Sequence, residues 1–379
     1  MAHHATGMRR TLLQEDRLDL AFVRIKIERL RRGEGGSHQH SGRNRGQDHQ
    51  LGEVHKLKLL LQQIIITHLV PSLLCKPFPL AYTENLGQVK TGNPSGEHRM
   101  SAVLSGAEFK KQLREGTPKL GIFVNSHSPT VAEQLAHSGY DWLLVDTQHG
   151  PMSYETLSAM LAGVASGGAK SLVRVGGYAD RPGIQQALDM GADGVLVPYI
   201  NTADEARQAV SCTRYPTTGT RSVYFPQRSM NKAGLLGYAG NANANIITAL
   251  QVETADCIKN MDEIAAIPGV DMLFLGQNDL CMSMGLFEKY EFPHMYTSPE
   301  LGAATDKLIA AAKKNNVILG IFLFGTSRVG EFLDKGFSLI GVGNDLHHVL
   351  TQTGAYVNDV EKVSKEKGKP WARRATALF

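Results

Sequence analysis

From position 120 onward, short apolar runs alternate with longer stretches whose apolar residues recur every three or four positions. The runs cover 120–124, 142–145, 171–175, 194–197, 247–252, 272–275, 318–322 and 338–342. All have strand length, and most lack strict polar alternation, as expected of strands buried on both faces. Helix-start chemistry stands between them. Ser128 followed by Pro129 reads as an N-cap with proline in the first helical position. Thr202 and Glu205 have capping-box spacing. Asp180 precedes a stretch with Ile184, Ala187, Leu188 and Gly191 along one stripe, and 346–362 reads as the final helix.

Strands separated by helices pair in parallel, because each crossover returns the chain to the same end. Eight such units in roughly 250 residues predict an α/β fold, the closed (β/α)8 TIM barrel. An open doubly wound sheet is the alternative, but it expects a glycine-rich phosphate loop after the first strand. Here that strand ends in Asn125-Ser126-His127.

Residues 1–99 develop no such alternation. They combine basic positions (Arg29, Arg31, Arg32), a Gly/Ser/His/Gln tract over 33–50 and one apolar patch. A helix over 18–32 is predicted from Leu18, Phe22, Ile25 and Arg29. The rest reads as a low-complexity or loosely structured extension, with Met100 as a candidate biological start. The predicted organisation is an extension over 1–99, a barrel over 100–363 and a basic tail over 364–379.

Charge and cysteines narrow the setting. A net charge of +4 over 379 residues offers no electrostatic footprint for nucleic acid. Cys75, Cys212, Cys257 and Cys281 are far apart, with no CxxC pair, so a reducing compartment is expected. The apolar stretch 57–74 is broken by Gln62, Gln63, His68 and Pro71, which argues against a membrane span. Acidic Glu15, Asp16, Asp19 and Glu28 argue against a mitochondrial presequence, leaving the cytoplasm as the expected location.

Polar residues gather at one end of the strands. Asp146 and His149 follow the second, Arg174 closes the third, Gln251 and Glu253 close the fifth, and Asn278 and Asp279 follow the sixth. In a barrel these ends open on one face, where active sites are built. Gln251 and Glu253 are two apart on a strand and share a side, so Asp279 on the next strand can meet Glu253. Two oxygen ligands with open positions suit Mg²⁺ or Mn²⁺; a rim salt bridge is the structural alternative. His149 is a candidate base. Arg174 needs either a buried partner or a negatively charged substrate oxygen.

The ordered segments VDTQHG, LVRV, ALDMGADGVLVP, TRYPTTGTR, QVET and LGQNDL resemble the HpcH/HpaI aldolase family from about 120 to about 349. Those proteins are class II, metal-dependent 2-oxo acid aldolases. The resemblance implies Glu253 and Asp279 as ligands of Mg²⁺ (or Mn²⁺ or Co²⁺), and Gln251 and Asn278, with Asp279, as contacts of the 2-oxo acid. It also implies Arg174 at the enolate oxygen, His149 as general base, and Asp189 reaching that histidine from a neighbouring subunit. Asp146 has a supporting place. Two positions depart from the family, Gln148 where glutamate is usual and Gln277 where proline is common.

The expected activity is cleavage or formation of 4-hydroxy-2-oxo acids through a pyruvate enolate, with a small 2-oxo acid and an aldehyde as partners. The family further implies a homo-oligomer, often a hexamer. Oxaloacetate decarboxylation and lysis of a CoA thioester are alternatives on the same site; Arg214 and Arg221 would bind a distal anion or tie a loop. A barrel kept only as a binding module would have lost one of His149, Arg174, Glu253 and Asp279. All four are present.

Overall fold

Burial on both faces fits the eight apolar runs to a sheet covered inside and out. The computed structural model describes residues 104–224, 228–230 and 234–371. The expected extension over 1–99, the helix over 18–32, Cys75, and positions 372–379 of the tail lie outside these residues.

The strands are β1 (Lys119–Val124), β2 (Trp142–Asp146), β3 (Lys170–Arg174), β4 (Gly194–Val197), β5 (Ile247–Val252), β6 (Met272–Leu275), β7 (Ile318–Leu323) and β8 (Leu339–Asn344). All pair in parallel in sequence order, and β8 closes on β1. The helices are α1 (Gly106–Arg114), α2 (Pro129–Ala136), α3 (Tyr154–Gly167), α4 (Arg181–Asp189), α5 (Ala203–Thr213), α6 (Gly234–Asn245) and α7 (Ala255–Lys259). They continue with α8 (Met261–Ala265), α9 (Gln277–Ser283), α10 (Leu286–Lys289), α11 (Pro299–Asn315), α12 (Val329–Asp334) and α13 (Asp345–Glu366). The fold is the (β/α)8 barrel.

The anticipated starts hold. Ser128 caps α2 ahead of Pro129, Asp180 caps α4, and Thr202 with Glu205 forms a complete capping box on α5. Gly191 falls outside α4 with φ +98°, ending the stripe one turn early. α13 begins at Asp345 and runs to Glu366, slightly longer than the final helix expected over 346–362.

Two apolar layers result. Inside the barrel, Phe123, Trp142, Leu144, Leu172, Leu196, Met272 and Phe274 form one cluster with Phe109 and Leu113 of α1, so α1 seals the end where strands begin. Trp142 fits because Gly121 beside it has no side chain: a Cβ there would sit 2.2 Å from the indole ring. The second layer lies between strands and outer helices.

The sealed end is held by charge. Asp271, just before β6, takes Lys110 at 3.0 Å, Arg114 at 3.1 Å and Arg214 at 2.9 Å, and accepts the Thr248 N–H at 3.0 Å. Burial pushes the Lys110 ammonium below its usual range, against the opposing pull of Asp271. Asp271→Asn leaves three cations facing a neutral amide, so it should destabilise the barrel by about 3–5 kcal/mol. A lower urea midpoint at unchanged slope checks this; an unchanged midpoint refutes the clamp.

Candidate active site

At the opposite end a cavity of about 680 Å³ is lined by Asp146, His149, Arg174, Gln251, Asn278 and Asp279, over a floor of Phe123 and Phe274. These polar residues arrive at one mouth, as the strand-end pattern predicts. No lysine lines it among the described residues.

Asp146 and Arg174 end β2 and β3 in register. Arg174 donates to both carboxylate oxygens, at 2.9 Å from Nε and 2.5 Å from a terminal nitrogen, and lies over the Phe123 ring at 5.4 Å. Asn125 adds a bond to Asp146 at 2.9 Å. Burial pushes the Asp146 carboxyl up, but the Arg174 hydrogen bond and charge, the His149 N–H and Asn125 outweigh it. The group is held below its ordinary range and is ionised at neutral pH.

The same carboxylate shapes the loop that carries His149. The N–H groups of Gln148 and His149 point to its Oδ1 at 3.1 and 3.4 Å, while Thr147 donates N–H and hydroxyl to the Arg174 carbonyl. The His149 side chain is left on the cavity wall. Gly150 ends this turn under close constraint, since a Cβ would lie 2.3 Å from His127 Nε2 and 2.7 Å from the Asp146 carbonyl oxygen.

Across the mouth, Gln251 is the penultimate residue of β5 and lines the cavity; Glu253 follows Val252 and sits behind Gln251, outside the cavity lining. Glu253 is 2% exposed, accepting the Tyr199 N–H at 2.7 Å and the Gln251 amide at 2.6 Å. Tyr199 supplies that N–H from a left-handed conformation, φ +58°, an expensive state for a side chain of its size. Gly276 admits the approach of the next strand, because a Cβ there would sit 2.9 Å from Gln251 Nε2 and 3.1 Å from Glu253 Cβ.

Burial drives the Glu253 pKa from its ordinary 4.5 up to about 7. The Tyr199 N–H pulls it down, the Asp279 charge raises it again, and Arg174 and Gln251 lower it. Among the described residues no salt bridge neutralises Glu253. Gln251 Oε1 is also buried without a hydrogen-bond partner. Asp279 lies exposed in the first turn of α9. No group of three or more His, Cys, Asp and Glu side chains with metal-binding potential occurs among the described residues.

Asp189 is not brought to this mouth within the chain. It closes α4 and accepts from buried Arg221 at 2.7 Å and from Gln185 at 2.7 Å. Arg221 also lies 4.6 Å from the Tyr215 ring. Arg214 bonds Asp271, Thr213 and Thr248. Both arginines therefore tie structure, which decides the loop-or-anion alternative for the TRYPTTGTR segment. Of the two departures, Gln277 lines the cavity and Gln148 keeps a buried Oε1 without a partner.

Asn125 and Tyr199 were not predicted as site residues. Asn125 stood at a strand end, the one available signal; Tyr199 acts through its backbone, which leaves no mark in the side-chain pattern.

Comparison with known proteins places the barrel among described families. The sequence profile described as HpcH/HpaI aldolase/citrate lyase matches residues 119–351. The chain is 34% identical over 240 residues to a 2-dehydro-3,6-dideoxy-6-sulfogluconate aldolase of Pseudomonas putida, covering 63% of this chain and 91% of that one. It is 37% identical over 238 residues to a 4-hydroxy-2-oxovalerate aldolase of Novosphingobium aromaticivorans, covering 62% and 88%. An HpcH/HpaI aldolase/citrate lyase family protein of Burkholderia cenocepacia J2315 superposes with TM-score 0.61 at 32% identity, over 67% of this chain and 99% of that one. Macrophomate synthase, at TM-score 0.62 and 22% identity over 68% and 90%, shares the fold. With its profile spanning most of the barrel, the chain belongs to the HpcH/HpaI aldolase/citrate lyase family.

Proposed function

We propose that this chain is a divalent-metal-dependent aldolase that cleaves or forms 4-hydroxy-2-oxo acids. The observation that carries the reading is Glu253: a carboxylate buried beside a second carboxylate, with Arg174 acting on it only through its field and no salt bridge to it among the described residues. Such a group is costly unless it coordinates a metal. Glu253 and Asp279 offer oxygen donors alone, which suits Mg²⁺ or Mn²⁺. Bound there by Glu253 and Asp279, the cation supplies Lewis-acid stabilisation of negative charge on the 2-oxo acid's oxygens. Relatives that are themselves aldolases of 2-oxo acids support the reaction class.

The chain's residues divide the remaining work. In cleavage, a ring nitrogen of His149 takes the 4-hydroxyl proton. The C3–C4 bond breaks, its electron pair passes into the pyruvate unit as an enolate, and the aldehyde departs. Arg174, fixed by Asp146, presents a permanent positive charge to the enolate oxygen. A proton then returns to C3 as pyruvate forms. Synthesis runs the same steps backwards. Gln251 and Asn278 orient the 2-oxo acid.

Coupled assay of pyruvate release from a 4-hydroxy-2-oxo acid should show turnover with Mg²⁺ or Mn²⁺. His149→Ala should lower kcat by about 10²–10⁴-fold, and Glu253→Gln should abolish turnover. Full activity in excess chelator refutes the scheme. A second readout needs no turnover. With a folded-state pKa near 7 against an ordinary 4.5, Glu253 makes folding of the metal-free chain take up a proton. Its contribution to stability is therefore lost as pH rises from about 4.5 to about 7. Thermal melts should show Mn²⁺ stabilising the chain increasingly from pH 6 to 8, and Glu253→Gln should remove that response.

We also propose that the chain self-associates through α13. Val349, Tyr356, Val360 and Val363 recur at helical spacing and are all exposed, while Leu346 and Leu350 of the same helix line the cavity. A second copy would cover this stripe, and the family implies a homo-oligomer, often a hexamer, in which Asp189 reaches His149 of another subunit. Light scattering should give a multiple of the chain mass, lowered by Val349→Asp with Val360→Asp; a wild-type monomer refutes the interface.

A further inference from the structure

We propose that the outer part of the cavity selects an aromatic aldehyde as the carbon acceptor, an inference that rests on the aldolase reading above. Aromatic rings run without a break from the barrel interior to the rim. Phe274 lies 6.0 Å from Phe123, Phe123 lies 4.9 Å from Phe322, and Phe322 lies 5.3 Å edge-on to Phe324. Phe322 in β7 and Phe324, just past the strand's end, both line the cavity. A second aromatic pair enters before α11, with Phe292 edge-on to Tyr296 at 5.9 Å. The Tyr296 hydroxyl donates to Asn278 at 2.6 Å, tying this pair to the 2-oxo acid end of the site.

Phe292 is 69% and Phe324 47% exposed. Rings left open on a cavity wall gain most when an apolar, flat ligand covers them. The cavity volume of about 680 Å³ is also far more than a three-carbon oxo acid fills.

Charge points the same way. Two arginines line the cavity, and each is engaged at two points by a carboxylate: Arg174 by Asp146, and Arg328 by Glu331 at 2.8 and 3.0 Å. Arg328 further lies 5.0 Å from the Phe332 ring. Glu331 already balances the Arg328 charge, so a carboxylated or phosphorylated acceptor meets a guanidinium with little net field to offer. A neutral aromatic aldehyde asks for no such field. The bond forms between the pyruvate methyl carbon, which gives up a proton, and the aldehyde carbon, whose oxygen takes one up; no oxidant or reductant enters.

The full chain with Mg²⁺ and pyruvate should be assayed with benzaldehyde, succinic semialdehyde and glycolaldehyde. Benzaldehyde is expected to exceed succinic semialdehyde in kcat/KM by about tenfold or more. Phe324→Ala and Phe292→Ala should each cut the benzaldehyde-to-glycolaldehyde ratio about tenfold, chiefly through KM. In the metal-free chain, saturation-transfer NMR should detect benzyl alcohol, with a weaker signal in Phe324→Ala. Preference for succinic semialdehyde, or a ratio unmoved by both variants, overturns the inference. Oxaloacetate decarboxylation needs no acceptor and separates the two readings. If it proceeds and benzaldehyde is not preferred, the acceptor inference alone falls; if decarboxylation and every acceptor fail, both fall.

Discussion

The buried pair of Asp146 and Arg174 sets the geometry of the whole mouth. A guanidinium fork on a carboxylate fixes distance and plane together, and here it joins the last residues of two adjacent strands. Because the remaining acceptor capacity of Asp146 takes the N–H groups of Gln148 and His149, one carboxylate positions both a permanent cation and the loop of the candidate base. Breaking it would leave Arg174 charged and poorly solvated against Phe123, the situation in which a lost buried partner is most costly.

Glu253 is built on the opposite principle. Asp146 receives a full counter-charge and stays ionised, whereas the hydrogen bonds to Glu253 come from neutral donors, Asp279 repels it, and the charge of Arg174 does not outweigh its burial. Two carboxylates, one ending β2 and one just past β5, thus have opposite electrostatic fates. Pairs of titratable groups pushed apart by their surroundings mark functional sites more often than structural ones. The left-handed backbone at Tyr199, which directs an N–H at Glu253, adds local strain at the same point.

The strands were readable because two-sided burial demands continuous apolar runs, and all eight recur with small shifts. β3 starts at Lys170, one residue earlier than its apolar run, because a lysine is tolerable there once Asp193 pairs with it at 2.8 Å. β8 extends through Gly343 to Asn344, whose side chain then caps α13, a job invisible to hydrophobicity. Strand-end placement revealed His149, Arg174, Gln251, Asn278 and Asp279 for a topological reason: parallel strands open at one face. The pairing of Asp189 with Arg221 could not be read this way, since those residues lie 32 apart on a helix end and a loop. Tyr199 was beyond reach because its contribution is a backbone N–H.

The two ends of the barrel carry charge in complementary ways, and this separates stability from chemistry. At the sealed end three cations converge on Asp271, and the closure by α1 leaves those groups little freedom. At the open end the acids outnumber what the chain neutralises, and aromatic rings continue outward from the interior packing. The wall that would contact an acceptor is therefore an extension of the core itself. Its rings are held from beneath by Phe123 and Phe274, so their positions are set by packing that folding has already fixed. A site supported in this way is preorganised toward its ligand, and changes at the exposed rim can alter acceptor choice while the buried acids and Arg174 remain in place.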